Sequence, residues 1–172
     1  KTALRNVLIL ELLFATGMRI SELCTLTTEQ INFNDYVIKI YGKGSKERLI
    51  QICNKNVQKL MDEYRTEFNF ELNNYNYFFI NRLNNRLSEQ SVRNMIADYT
   101  EKAKIQLHIT PHMFRHSFAT LLLEEDVDIR YIQQMLGHSS ITTTQIYTHT
   151  SINKQKDILT VKHPRNKFDI GI

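Results

Sequence analysis

Cysteine is scarce in this chain, with Cys24 and Cys53 the only two in 172 residues. They form neither a close metal-binding pair nor the dense pattern of a disulfide-stapled secreted domain, which points to a reducing compartment. His108, His149 and His163 lack ligand-like grouping, so no zinc site is inferred. Long apolar runs are missing too, and with them any expectation of a membrane-spanning segment or a secretory signal. There is no internal repeat and no low-complexity tract; the abundance of Asn and Ile is compositional. Nor is there a large charge of one sign: 22 Lys and Arg stand against 18 Asp and Glu, a formal +4. That balance permits an anionic partner without requiring one. Part of the excess lies in the last 22 residues, where five basic residues face two acidic ones. This basic tail either touches phosphate or is simply solvated.

What is present is the composition of an ordinary globule, 42% apolar and 23% charged. A chain of this length fits one medium domain and buries about two thirds of its unfolded surface. Disorder is a poor description of it.

The opening TALRNVLILELLFA is apolar enough for a largely buried helix that stops before Gly17. A second short helix begins near Arg19 and carries Ser21, Glu22 and Leu23, so that Arg19 and Glu22 share a face. YVIKIY at 36–41, then GKGSK, then ERLIQI predict a hairpin with Lys43 near its tip. Asn54 is placed to cap a helix over 56–68, with Val57, Leu60, Met61 and Tyr64 on its inner stripe. YFFI at 77–80 is ambiguous. Ser88 starts a helix in which Val92, Ile96 and Tyr99 recur, ending near 104. Thr110 followed by Pro111 is a stronger start signal, because proline at the first helical position loses no needed amide hydrogen. That helix is predicted to run to about Leu123. On it His112 and Arg115 face one place, while His116 cannot fully join them. Asp128 caps a short helix that ends at Gly137, a plausible left-handed stop. His138 then falls in a junction, and Ser140 caps a further helix carrying Tyr147.

Singly, these polar residues are ordinary. Arg19 after a glycine region is the kind of residue usually found on a surface, and Gly, Lys and Ser around Lys43 are common turn chemistry. His112 and Arg115 suit a solvated helix face, and Tyr147, one of eight tyrosines, suits a packed ring. Glu22 has a helix-stabilising reading, and His116 a structural one behind the site.

Their order and separation change this. The stretches ATGMRISELCTL, YGKGSKERL, HMFRHSFAT and LGHSSITTTQIYTH resemble the successive active-site motifs of the tyrosine recombinases, or phage integrases, from the first helix to about residue 150. The resemblance extends to Xer-like and mobile-element members. It implies a mainly α fold with a small antiparallel β-sheet (α+β). It also matches Arg19 to the first catalytic arginine, Lys43 to the hairpin lysine, and His112 and Arg115 to the histidine and second arginine. His138 matches the position held by histidine or tryptophan, Tyr147 the nucleophile, and Glu22 the acidic support of the first arginine. No member of the set is missing.

The implied chemistry is strand cleavage and rejoining through a 3′-phosphotyrosyl intermediate and a Holliday junction. Two guanidinium groups, Arg19 and Arg115, clamp the nonbridging oxygens of the scissile phosphate as negative charge gathers there. Tyr147 attacks, with a phenol pKa of about 10 that requires help, for which His112 is the candidate. Lys43 donates a proton to the departing 5′ oxygen and His138 a hydrogen bond to the phosphate. No cofactor is implied, neither ATP nor a metal. The partners implied are double-stranded DNA and a tetrameric synapse on it, the free protein being a monomer, with an accessory DNA-bending protein as a further candidate. The implied place is the bacterial cytoplasm, at the nucleoid.

By the same resemblance, residues 1–151 form the catalytic domain and 152–172 a C-terminal basic tail that docks on a neighbouring protomer; an ordinary frayed terminus is the plain alternative. Pro164 is expected to break any helix there. An N-terminal core-binding domain, common in the family, is expected to be absent from this chain. Two other functional classes remain at this level. One is a type IB topoisomerase, which reseals the original strand; the other is a catalytically silent DNA-binding module.

Overall fold

The computed structural model describes residues 1–42, 47–137 and 149–168. Helix α1 (Thr2–Thr16) carries Leu8, Ile9, Leu12 and Leu13 at zero exposure. A helix apolar around so much of its circumference belongs in a core, and α1 packs against both α3 (Lys55–Glu67) and α6 (Pro111–Glu124). It ends where Gly17 turns left-handed at φ 59° and returns its amide to the Leu13 carbonyl. A Cβ at Gly17 would sit 2.7 Å from Phe118 Cδ1 and 2.8 Å from Leu136 Cδ2, so both conformation and close approach require glycine there. Helix α2 (Ile20–Thr25) follows at once, with Arg19 as its N-cap residue.

The sheet is three-stranded and antiparallel in the order β1 (Ile31–Asn32), β2 (Val37–Tyr41), β3 (Glu47–Gln51). Register pairs Ile38 with Ile50 and Tyr41 with Glu47. The expected hairpin is therefore present, with the two-residue β1 added at its edge. Lys43, between β2 and β3, lies outside the described residues.

Asn54 caps α3 as its side chain accepts from the amides of Asn56 and Val57 at 3.1 and 3.2 Å. Val57, Leu60, Met61 and Tyr64 are all buried beneath it. Helix α4 (Asn69–Asn74), whose sequence NFELNN carries no apolar stripe, was not foreseen. The YFFI segment buries Phe78 and Phe79 against Tyr64 and is tied by isolated antiparallel bridges Thr27–Tyr77 and Ile80–Arg86. Ser88 caps α5 (Glu89–Lys102) through the Ser91 amide at 3.1 Å. Thr110 is the N-cap residue of α6 but its side chain makes no capping bond; Pro111 holds the first position. Asp128 caps α7 (Ile129–Leu136), which stops at left-handed Gly137. Among the described residues, the chain is mainly helical with one small antiparallel sheet.

Two apolar clusters result. The larger joins α1, α2, the sheet, α3, Phe78–Phe79 and α5; the smaller comprises Phe118, Leu122, Val127, Ile132, Met135, Leu136 and Leu159. Leu159 comes from α8 (His149–Lys162), so the C-terminal segment completes the second cluster. The helix ends before Pro164, as expected, and a 3-10 turn follows at Pro164–Lys167. Arg165 pairs with Glu11 at 2.7 and 3.1 Å, and Lys162 donates to the Glu125 carbonyl at 2.6 Å. Lys167 also meets the Glu125 carboxylate. Three cations of the basic tail are thus engaged by their own chain.

Candidate active site

The site gathers at the turn between α1 and α2. Glu22, in the first turn of α2, accepts from the Arg19 amide at 2.7 Å and from Arg19 Nη1 at 3.2 Å. The carboxylate therefore caps the helix it sits on and also fixes the base of the Arg19 side chain, which stays 41% exposed. Arg48, on the buried phase of β3 beside Ile50, reaches the same carboxylate through Nη1 and Nη2 at 2.8 and 2.7 Å. Burial alone would raise the Glu22 carboxyl, but hydrogen bonds from Arg48 and the Arg19 amide, with both positive charges, hold it below its usual range.

Arg115 projects from α6 to the same turn. It donates through Nη1 to the Gly17 carbonyl and through Nη2 to the Leu136 carbonyl, each at 2.7 Å. Leu136 closes α7, where backbone carbonyls lack helical partners and the helix dipole is negative, so a cation is favoured there. Burial pushes Arg115 down to about 10, and the positive charges of Arg19 and Arg48 add to that effect. It keeps its charge at neutral pH. Three guanidinium groups with one carboxylate among them leave a net positive pocket, the condition for attracting an oxyanion.

His112 and His116 lie on α6, both exposed; His116 Nε2 is 3.4 Å from Thr120 Oγ1. His138 and Tyr147 fall in 138–148 and, like Lys43, lie outside the described residues. The structure therefore brings together Arg19, Glu22 and Arg115, with His112 three residues before Arg115 on the same helix.

A profile of the phage integrase family matches residues 1–154. The chain belongs to the phage integrase family. Among curated integrase relatives, a tyrosine recombinase of Agathobacter rectalis is 59% identical over 168 residues, covering 98% of this chain and 55% of that protein. The tyrosine recombinase XerD of Oceanobacillus iheyensis is 39% identical over 168 residues, covering 96% of this chain and 57% of that protein. The crystal structure of XerA recombinase matches with a TM-score of 0.72 at 32% identity, over 91% of this chain and 58% of that one. The chain spans about half the length of the curated relatives it matches.

Arg48 is a member of this cluster that its local sequence does not single out. Its signal was its strand position: it occupies the inward phase shared with Ile50, where an arginine must be paired to be buried. No described helix is long and apolar enough to cross a membrane.

Proposed function

We propose that the protein carrying this chain is a site-specific DNA recombinase that cleaves and rejoins strands through a 3′-phosphotyrosyl link. The observation that carries this reading is the seating of two arginines, Arg19 and Arg115, around one turn, each held by partners that leave it charged. Such a pair suits the nonbridging oxygens of a phosphodiester, whose charge grows as an in-line nucleophile approaches.

In this reading Tyr147 Oη attacks phosphorus, the 5′ oxygen of the following nucleotide departs with a proton from Lys43, and the phosphodiester becomes a phosphotyrosyl ester. His112 takes the tyrosine proton, and His138 donates a hydrogen bond to the phosphate. A 5′ hydroxyl from another strand reverses the step, so bond energy is retained and neither ATP nor a metal enters the balance. His116 stands behind His112 on the same helix as a supporting group.

The substrate is double-stranded DNA, gripped first through its backbone and so with an affinity that falls as salt rises. The active assembly is a tetramer on DNA in the bacterial cytoplasm at the nucleoid, with a DNA-bending protein as its accessory. The free protein is a monomer; residues 153–168, packed on their own chain, are consistent with that.

Product identity tests this reading. Two duplexes carrying the site that the full-length protein selects from a random-sequence library should yield strands joined between duplexes, together with Holliday intermediates. Relaxed supercoils without exchanged partners would instead make it a topoisomerase, and tight binding with no cleaved product a silent module.

A further inference from the structure

We infer that Arg48 is a positioning residue of strand cleavage, holding Arg19 available to phosphate by occupying the face of Glu22 that would otherwise capture it. This rests on the recombinase reading above.

The Glu22 carboxylate is 7% exposed and receives four donors: the Arg19 amide at 2.7 Å, Arg19 Nη1 at 3.2 Å, and Arg48 Nη1 and Nη2 at 2.8 and 2.7 Å. The two short side-chain bonds go to Arg48 in the parallel, two-pronged geometry that is strongest for this pair. The Arg19 side chain keeps only the longest contact and remains 41% exposed. One negative charge is thus spent mainly on a buried cation, itself 3% exposed, which no substrate can reach. Remove Arg48, and the buried carboxylate keeps Arg19, already bonded to it through Nη1 at 3.2 Å. Arg19 would close on it with both nitrogens and be drawn off the phosphate.

Arg48 also sets the second arginine. Its Nε donates to the Met135 carbonyl at 2.8 Å, next in sequence to the Leu136 carbonyl that holds Arg115 at 2.7 Å. Both guanidinium groups therefore grip the same end of α7. The fit is close: a Cβ on Gly137 would lie 3.1 Å from Arg48 Cδ and Nη1, at a residue with φ +68°. Through this one side chain, β3 ties the support of Arg19 to the support of Arg115.

The test uses the full-length protein carrying this chain and a nicked suicide duplex bearing the site that the wild type selects from a random library. DNA affinity and the rate of adduct formation at saturating DNA are measured separately, with melting followed alongside. Arg48→Met should slow cleavage by about 100-fold while changing affinity by less than about 3-fold, since a small misplacement of a clamp acts on the reaction step. Arg48→Lys, which keeps the charge and loses the fork, should recover about 10-fold of that loss. Adding Glu22→Gln to Arg48→Met removes the capturing charge and should also speed cleavage by about 10-fold, a non-additive result. Arg48→Met cleaving at the wild-type rate overturns the inference. So does a parallel fall in affinity and rate with no recovery from either second change, because Arg48 would then only hold the fold. Should Arg48→Met not fold, Arg48→Lys and its combination with Glu22→Gln carry the same comparison. If the wild type itself forms no adduct on DNA it binds, the recombinase reading fails first and this inference with it.

Discussion

Among the described residues, two buried arginine–glutamate pairs have different surroundings. Arg165 and Glu11 are 1% and 8% exposed, and the arginine's remaining donors are absorbed by its own chain, including the Phe168 carbonyl. Arg48 and Glu22 are 3% and 7% exposed, but their carboxylate is shared with Arg19, which opens to solvent. The first pair is sealed and joins the C-terminal segment to α1. The second has one edge left open, at the exposed Arg19 side chain. Similar burial and the same chemistry therefore do not mean the same surroundings; what separates the pairs is that the Glu22 carboxylate is shared with a second arginine whose side chain stays exposed.

The sharpest way to break the comparison is to remove one partner of each pair. Arg165→Ala leaves Glu11 charged and buried, and should cost about 3–5 kcal/mol of stability in urea unfolding. Replacing both, as Glu11→Leu with Arg165→Met, should return most of that loss, because the pair contributes little net stability over an apolar contact. Arg19→Ala should do the opposite: stability close to wild type, but cleavage slowed by about 100- to 1,000-fold, or roughly 2.7–4 kcal/mol of transition-state stabilisation.

Acid sharpens the contrast further through His163, which sits beside Arg165. Its Nδ1 accepts the Arg165 amide at 3.0 Å, so the proton is on Nε2, donated to the Ala15 carbonyl at 2.8 Å. Burial pulls its pKa from 6.5 down to about 4. The folded chain refuses a proton that the unfolded chain accepts, so stability is fully present above pH 6.5 and falls as pH drops toward 4. His163→Gln should flatten that part of the stability curve. Glu22 acts lower: its carboxyl is depressed in the fold, so its contribution is present above the ordinary carboxylate range and is lost only as pH falls through the depressed value.

Smaller effects calibrate the scale. Asn54→Ala removes a cap with two amide contacts and should cost about 1 kcal/mol by thermal or urea unfolding. Arg93→Ala breaks the exposed 2.8 Å pair with Glu89 and should change stability by less than about 0.5 kcal/mol.

These contrasts mark where the sequence was informative. Local signals were legible: Asn54, Ser88 and Asp128 cap helices where expected, Gly17 and Gly137 end them, and 37–41 pairs antiparallel with 47–51 as the hairpin reading expects. Each of those rests on residues a few positions apart, so the sequence contains both partners side by side. Arg19 with Glu22 was legible for the same reason. Arg165 with Glu11 was not, since 154 residues separate them, and a basic residue in a basic tail looks solvated until its partner is known. Arg48 hid differently. It follows Lys46 and Glu47 in a charged run, and only the period-two burial of β3 distinguishes it. Helix α4 escaped because NFELNN has neither stripe nor cap, and its position is set by packing after α3.

The central claim, that this chain supplies a tyrosine nucleophile to a phosphate clamped by Arg19 and Arg115, is tested most directly by mapping the protein–DNA link. The full-length protein and its Tyr147→Phe variant are incubated with the nicked suicide duplex bearing the selected site, digested with protease, and the DNA-bearing peptide is identified by mass. The account predicts one phosphotyrosyl link, at Tyr147, and none in a variant that binds the duplex equally well. A link at another residue, or an adduct that survives Tyr147→Phe, would contradict it.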